Sequence, residues 1–233
     1  MPVPSEVFDI LTSFKSELRN RRKFEREMEE RLGAEWDKQR KELMRLLGNP
    51  PDINNVPESY WNNGGKGIRK AIAAVLEDIY LVQSFALIEQ VNLQVDWMLV
   101  NQHAIDWAAR WGMQKATELT GRTRNMVIDL VTKYYQQDWD IDELTRRIAV
   151  FYAPERARSV AITETTNAAV QSQIQLADDI RKIYGVDFEE TYRVSEYDRV
   201  CAICAPLDGR PTQEVGYPPK HVNCACYVEY TML

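Results

Sequence analysis

All four cysteines of this chain of 233 residues lie between Cys201 and Cys226, with none before them. A secreted disulfide scaffold spreads its cysteines through the fold. A cluster in one short tail marks a local staple, and in a reducing compartment that staple is usually a metal. The pattern is Cys201-x2-Cys204, then His221-x2-Cys224-x-Cys226. Two thiols three residues apart can chelate one ion from a tight turn, and a Cys-His-Cys group on a second arm completes a tetrahedron. Zinc suits thiolate and imidazole and takes four such ligands when the site is structural. Five donors compete for four places. Cys201 and Cys204 fill the first arm; on the second, Cys226 and His221 stand slightly ahead of Cys224. The competing readings are disulfides and unliganded buried thiols. A module of about 40 residues around two short hairpins buries little surface, so a structural Zn2+ would supply the missing stability.

The expected fold class is mainly α with a small C-terminal β-rich, metal-stapled module (α+β). Residues 1–50 read as an amphipathic helical region, with Phe8, Leu11, Phe14 and Leu18 on one face. The basic run Arg19 to Lys23 is followed at once by Glu25, Glu27, Glu29 and Glu30. That is the pattern of a solvated helix with opposite charges a turn apart. Gly48-Asn49-Pro50-Pro51 stops the helix, and residues 51–67 read as a loop. Within it, Asn62-Asn63-Gly64-Gly65-Lys66-Gly67 lacks the Gly-Lys-Ser/Thr ending of a phosphate loop and has no apolar strand before it. Plain Asn and Gly turn chemistry explains it.

Residues 68–115 read as one long helix or two stacked ones, with a stripe from Leu76 through Ile79, Tyr80 and Leu87 to Met98 and Leu99. Trp97, Trp107 and Trp111 add large apolar area. Such a stripe is more often core or subunit interface than cofactor pocket. His103, without evident acidic or thiol neighbours, reads as structural. Glu89, Asp96, Asp106 and Arg110 interrupt the apolar run, so no membrane span is expected. No secretory signal is seen in the first residues, and a reducing cytoplasm is the expected site of synthesis. A net charge of −6 argues against coating nucleic acid by bulk charge, while leaving room for a local basic face.

Residues 116–233 read as one further domain. A polar break at Asp138 to Asp142 precedes a short amphipathic helix through Ile141, Leu144, Ile148 and Phe151. Pro154 then opens a helix that runs to Tyr184 and is capped by Gly185. Phe188, Tyr192, Val194 and Tyr197 suggest extended chain, Asp208-Gly209 a hairpin turn, and Cys224 to Tyr230 a last strand. The metal module therefore occupies about 190–233. Thr163, Glu164 and Asn167, with Gln171, offer a polar helix face. It is either a seam gripping the extended C-terminal segment or an ordinary solvated surface. No catalytic partner for Glu164 is evident.

The segments Tyr197 to Gly209 and Pro218 to Cys226, with Ala161-Ile162-Thr163-Glu164-Thr165 upstream, resemble the C-terminal half of the phage head-morphogenesis family, the Mu F-like minor head proteins. The likeness runs from about Lys115 to the end. Two positions depart from it. Ile162 and Ala225 stand where relatives commonly carry Arg, so any ion pair or contact made by those arginines is missing. The resemblance implies a virion protein at the portal vertex or inside the capsid, assembled in the host cytoplasm and active in head assembly and genome delivery. The implied partner is the portal protein. Major capsid or scaffold protein, further copies of the chain and DNA are additional candidates. Two other classes compete: a zinc-dependent nucleic-acid-binding module, and an enzyme using a cysteine nucleophile or a catalytic zinc. Few Lys and Arg around the cysteines speak against the first. A saturated metal site speaks against the second, so no catalytic residues are expected.

Overall fold

The computed structural model describes residues 17–91, 95–195 and 201–233. Five helices longer than two turns and one small sheet frame the described chain: α1 Glu17–Leu47, α2 Glu58–Val91, α3 Trp97–Gln136, α4 Ile141–Ala149, α5 Pro154–Tyr184, β1 Phe188–Arg193 and β2 Tyr227–Met232. The fold class is thus mainly α with a small antiparallel sheet beside the cysteines.

Local chemistry explains most helix ends. Gly48, at φ +74°, closes α1, and Gly185, at φ +67°, closes α5, conformations that cost glycine little. Asp140 caps α4, its carboxylate accepting from the Glu143 N–H at 2.7 Å. Along α1, Phe24, Met28, Leu32, Trp36, Leu43 and Leu47 are buried at spacings of four and seven. Phe8, Leu11 and Phe14 of the expected N-terminal stripe lie outside the described residues, as does the side chain of Leu18.

The expected loop at 51–67 is corrected. Only its first part is irregular, because α2 starts at Glu58 and runs straight through Asn62 to Gly67. Packing overrides turn propensity here. The glycines make room for α1: a Cβ on Gly67 would fall 2.1 Å from Glu35 Oε1, and one on Gly64 would fall 3.1 Å from Gln39. Gln39 also donates to the Gly64 carbonyl at 3.1 Å. Trp61, Ile68, Ile72, Val75 and Leu76 keep the helical period across the glycines and are buried.

The linear partition at residues 50, 67 and 115 is corrected too. The chain forms two compact units that interleave in sequence: the described parts of Met1–Glu25 with Val75–Ala108 and Ser159–Leu233, and Arg26–Ala74 with Ala109–Arg158. The second unit is all helical. In it the Arg156 guanidinium lies 4.8 Å over the Trp36 ring and donates to Thr123 Oγ1 at 2.9 Å and to the Phe151 carbonyl at 2.5 Å. Tyr60 donates to the Gln39 carbonyl at 2.9 Å. Burial, reinforced by the neighbouring Tyr152, pushes the Tyr60 phenol well above its usual range.

In the first unit the sheet covers α5. Leu87, Val100, Leu176, Ile180, Phe188 and Tyr230 belong to one apolar cluster. Phe85 stacks on Trp97 at 5.6 Å, while Met98 is 62% exposed and so takes no part in this core. His103 has an acidic neighbour that its sequence context hid: Asp179 Oδ2 is 3.3 Å from its Nδ1. Residues Glu58–Glu89 of α2 contain a window of mean hydropathy 1.7, long enough to cross a bilayer, and 61% of it is buried against the protein. A core helix has that signature.

Candidate metal centre

The centre is built on β1. Its side chains alternate, so Phe188, Glu190 and Tyr192 all face inward. β2 pairs with it antiparallel, setting Glu190 opposite Tyr230 and Tyr192 opposite Val228. Each inward residue meets a different environment. Phe188 joins the apolar cluster. Glu190, 4% exposed, accepts from Thr212 Oγ1 at 3.1 Å and Tyr217 Oη at 2.5 Å and pairs with Arg181. Tyr192 reaches the thiols, donating to Cys204 Sγ at 3.3 Å and lying 3.8 Å from Cys224 Sγ.

Two tight turns present the donors. In the first, the Cys204 and Ala205 N–H groups donate to the Cys201 carbonyl at 3.1 and 2.9 Å. In the second, the Cys224 N–H donates to the His221 carbonyl at 3.2 Å. Asp208-Gly209 does turn the chain, with Gly209 at φ +74°. It does not join two flanking strands, however. It returns the chain onto β1 through a bridge between Thr191 and Pro211, with Asp208 Oδ1 accepting from the Val194 N–H at 2.9 Å.

The turns bring all five expected donors together as two triads that share Cys204. Cys201, Cys204 and His221 form one; Cys204, Cys224 and Cys226 form the other. Within each triad the donor atoms lie within 4.8 Å of one another. His221 Nε2 is 2.9 Å from Cys201 Sγ and 3.2 Å from Cys204 Sγ, and Cys204 Sγ is 3.8 Å from Cys224 Sγ. His221 Nδ1 faces its neighbour's carbonyl, Val222 O, at 2.7 Å. With the proton on Nδ1, Nε2 is left as the donor, as a ligating imidazole requires. These cysteine and histidine groups are positioned to hold a metal ion.

The thiols are electrostatically unequal. A hydrogen bond from Cys226 holds the Cys224 thiol down, against burial, helped by the Cys226 and Lys220 N–H groups. The same bond, then burial, pushes Cys226 up. Burial raises Cys204 to about 11. For Cys201, burial acts upward but is outweighed by hydrogen bonds from the Cys204 and Ile203 N–H groups, which lower it. The Val222 carbonyl, opposed by burial and aided by Cys224 and Cys201, raises His221. Cys224 and His221 thus shift in opposite directions within one cluster, and an ion binding there would displace the protons its ligands carry.

The second arm is fastened to α5. Thr163 Oγ1 accepts from the Asn223 N–H at 3.0 Å, and Thr166 Oγ1 donates to the Cys224 carbonyl at 2.6 Å. Arg21 on α1 adds a third tie, donating to the Ala225 carbonyl at 2.5 Å and to Thr166 Oγ1. Of the expected seam, Thr163 touches the C-terminal segment. Asn167 instead donates to Glu164 Oε2 at 2.9 Å, and Gln171 is exposed. Sequence reasoning missed Thr166, Arg21, Tyr192 and Glu190 as functional positions. The alternation Phe188, Glu190, Tyr192 signals that Glu190 shares a face with two aromatics; nothing local marks Thr166 or Arg21.

No family model, curated protein or solved structure matches the chain.

Proposed function

We propose that the cluster is a structural zinc site and that the protein is a minor head protein of a tailed-phage particle, docking at the portal vertex or inside the capsid. The reading rests on one observation: Cys201, Cys204, His221, Cys224 and Cys226, which lie in the segments that resemble the Mu F-like proteins, form two triads around Cys204. Soft thiolates with one imidazole suit zinc better than calcium or magnesium, which prefer oxygen.

Zn–S bonds of about 2.3 Å place tetrahedral ligand atoms about 3.8 Å apart. The Cys204–Cys224 separation of 3.8 Å fits that edge. The two triads share only Cys204, so completing four-fold coordination draws a thiol of the second triad towards Cys201 and His221. Cys201, Cys204, His221 and Cys224 make the favoured set. Cys226, the thiol most strongly held protonated, then supports Cys224 by hydrogen bonding. In this role the ion organises the chain and needs no open coordination position, so no catalysis is assigned to it.

Elemental analysis of the purified protein tests the metal: close to one zinc per chain is expected, and a folded protein with none refutes the site. Co-expression with the cognate portal, followed by affinity pull-down, tests the docking. A stable complex supports the assignment. Absence of a complex, with unchanged particle incorporation after deletion of the chain before Lys115, refutes docking through the helical half.

A further inference from the structure

Asn62, Gly65 and Lys66, from the stretch that is no phosphate loop, nevertheless line one wall of a groove of about 350 Å3 in the helical unit. The wall from α2 carries Trp61, Lys66 and Arg69; the facing wall from α3 carries Thr117, Thr120 and Arg124. The walls stand close at Gly65, where a Cβ would make an ordinary contact of 3.5 Å with Thr120 Oγ1. The groove has three cations and one carboxylate, Glu58, a local excess of two positive charges in a chain of net charge −6.

The cations are not equivalent. Arg124 is fixed: it pairs with Glu58 at 2.8 Å and lies 5.9 Å over the Trp61 ring. Lys66 and Arg69, exposed one turn apart on the same face, have no hydrogen-bond or ion-pair partner among the described residues. Like charges at that spacing disfavour a helix unless something neutralises them. Beside them, Thr120 Oγ1 is shielded from solvent and also lacks a partner among the described residues. A hydroxyl without a partner, a lysine and an arginine thus line the same small groove.

We propose that this groove binds a phosphate group. A phosphate offers several acceptor oxygens and enough charge for the ammonium, the guanidinium and the hydroxyl together, which a single carboxylate does not. The group can come from a DNA backbone or from a free phosphate ion. The inference stands independently of the metal centre and of the portal assignment.

Two titrations of the full-length protein test it, one with inorganic phosphate followed by 31P NMR and one with a fluorescent DNA duplex followed by anisotropy at several salt concentrations. Each is repeated with Lys66→Gln/Arg69→Gln, and with Lys133→Ala as control, a lysine already held by Asp129 at 2.7 Å. Both Gln substitutions are at exposed positions, and circular dichroism checks that the fold is kept. Saturable phosphate binding that the double variant loses supports the proposal and identifies a free ion as sufficient. If the backbone is the source, duplex binding weakens in the double variant and the slope of log K against log salt becomes shallower by about one, for the one phosphate no longer neutralised. The control should match wild type in both arms. Wild type that binds neither ligand, or a folded double variant that binds both as wild type does, overturns the proposal.

Discussion

Glu190→Ala is the sharpest test of how the C-terminal module is held. The carboxylate has three partners on three segments: Arg181 of α5, Thr212 and Tyr217. Removing it does not orphan Arg181, which keeps Asp178 and Asp187, each at 2.9 Å. Thr212 is 1% exposed and has no solvent to turn to, so its hydroxyl bears the desolvation cost of an unmade bond, about 1–3 kcal/mol. Tyr217 is 37% exposed and can recruit water, so its loss is smaller. With a small cavity term the sum is roughly 2–4 kcal/mol. For a chain of this size that corresponds to a midpoint lowered by about 4–16 °C, at about 2–4 °C per kcal/mol. Glu190→Gln keeps an acceptor oxygen and the volume, so it should fall between Ala and wild type. Glu189, the exposed neighbour on the same strand, provides the reference, and its Ala variant should shift stability by less than about 0.5 kcal/mol. Thermal melts followed by near-ultraviolet circular dichroism, with hydrogen exchange of the β1 and β2 amides, report the change. A midpoint for Glu190→Ala equal to that for Glu189→Ala would refute the claim that this carboxylate ties the module together.

Cys204→Ser should abolish zinc retention more completely than Cys226→Ser, because Cys204 belongs to both triads; elemental analysis of the two variants decides. Thr166→Val leaves the Cys224 carbonyl and Arg21 without a hydroxyl between them and should destabilise the second arm by about 1–3 kcal/mol, read as faster zinc transfer to a chelator. A methyl group added at Gly33 in α1 would meet nothing within 4 Å, so Gly33→Ala should raise the urea midpoint, by about 0.5–1 kcal/mol of stability, whereas Gly112→Ala meets Ala73 Cβ at 3.2 Å and should gain less or lose. Because folding raises the Tyr60 phenol pKa, its contribution is complete below the unfolded value near 10 and is lost as pH rises above it; urea midpoints should fall on going from pH 8 to about 11, and less so for Tyr60→Phe relative to its own value at pH 8.

Features set by a few adjacent residues were legible in the sequence. Pro154 and Gly185 bracket α5 because each acts through its own backbone, and the same holds for Gly48 at the end of α1. The five candidate donors are legible by residue type and spacing, since chelation from a tight turn is itself local. Asn62 to Gly67 carry a turn preference that holds no information about α1, whose Glu35 and Gln39 fill the space Gly67 and Gly64 leave. Thr166 and Arg21 were invisible for a related reason: their partners Cys224 and Ala225 are far along the chain, and a threonine in a helix carries no mark of what will lie over it. Two units that interleave in sequence likewise leave no composition boundary to find.

The inward triplet of β1 also sets which pairing errors the sheet can survive. A slip by one residue would turn Glu189, Thr191 and Arg193 inward and set a carboxylate against the apolar cluster, a short hydroxyl where Glu190 receives its donors, and a guanidinium among the thiols. Each fault alone is costly, and a slip commits all three together. Outward, Arg193 would also give up Glu229, now 2.6 Å away across the strands. A misaligned strand therefore finds no partial match from which to persist, and the pairing is proofread by three unlike chemistries spaced along six residues of chain.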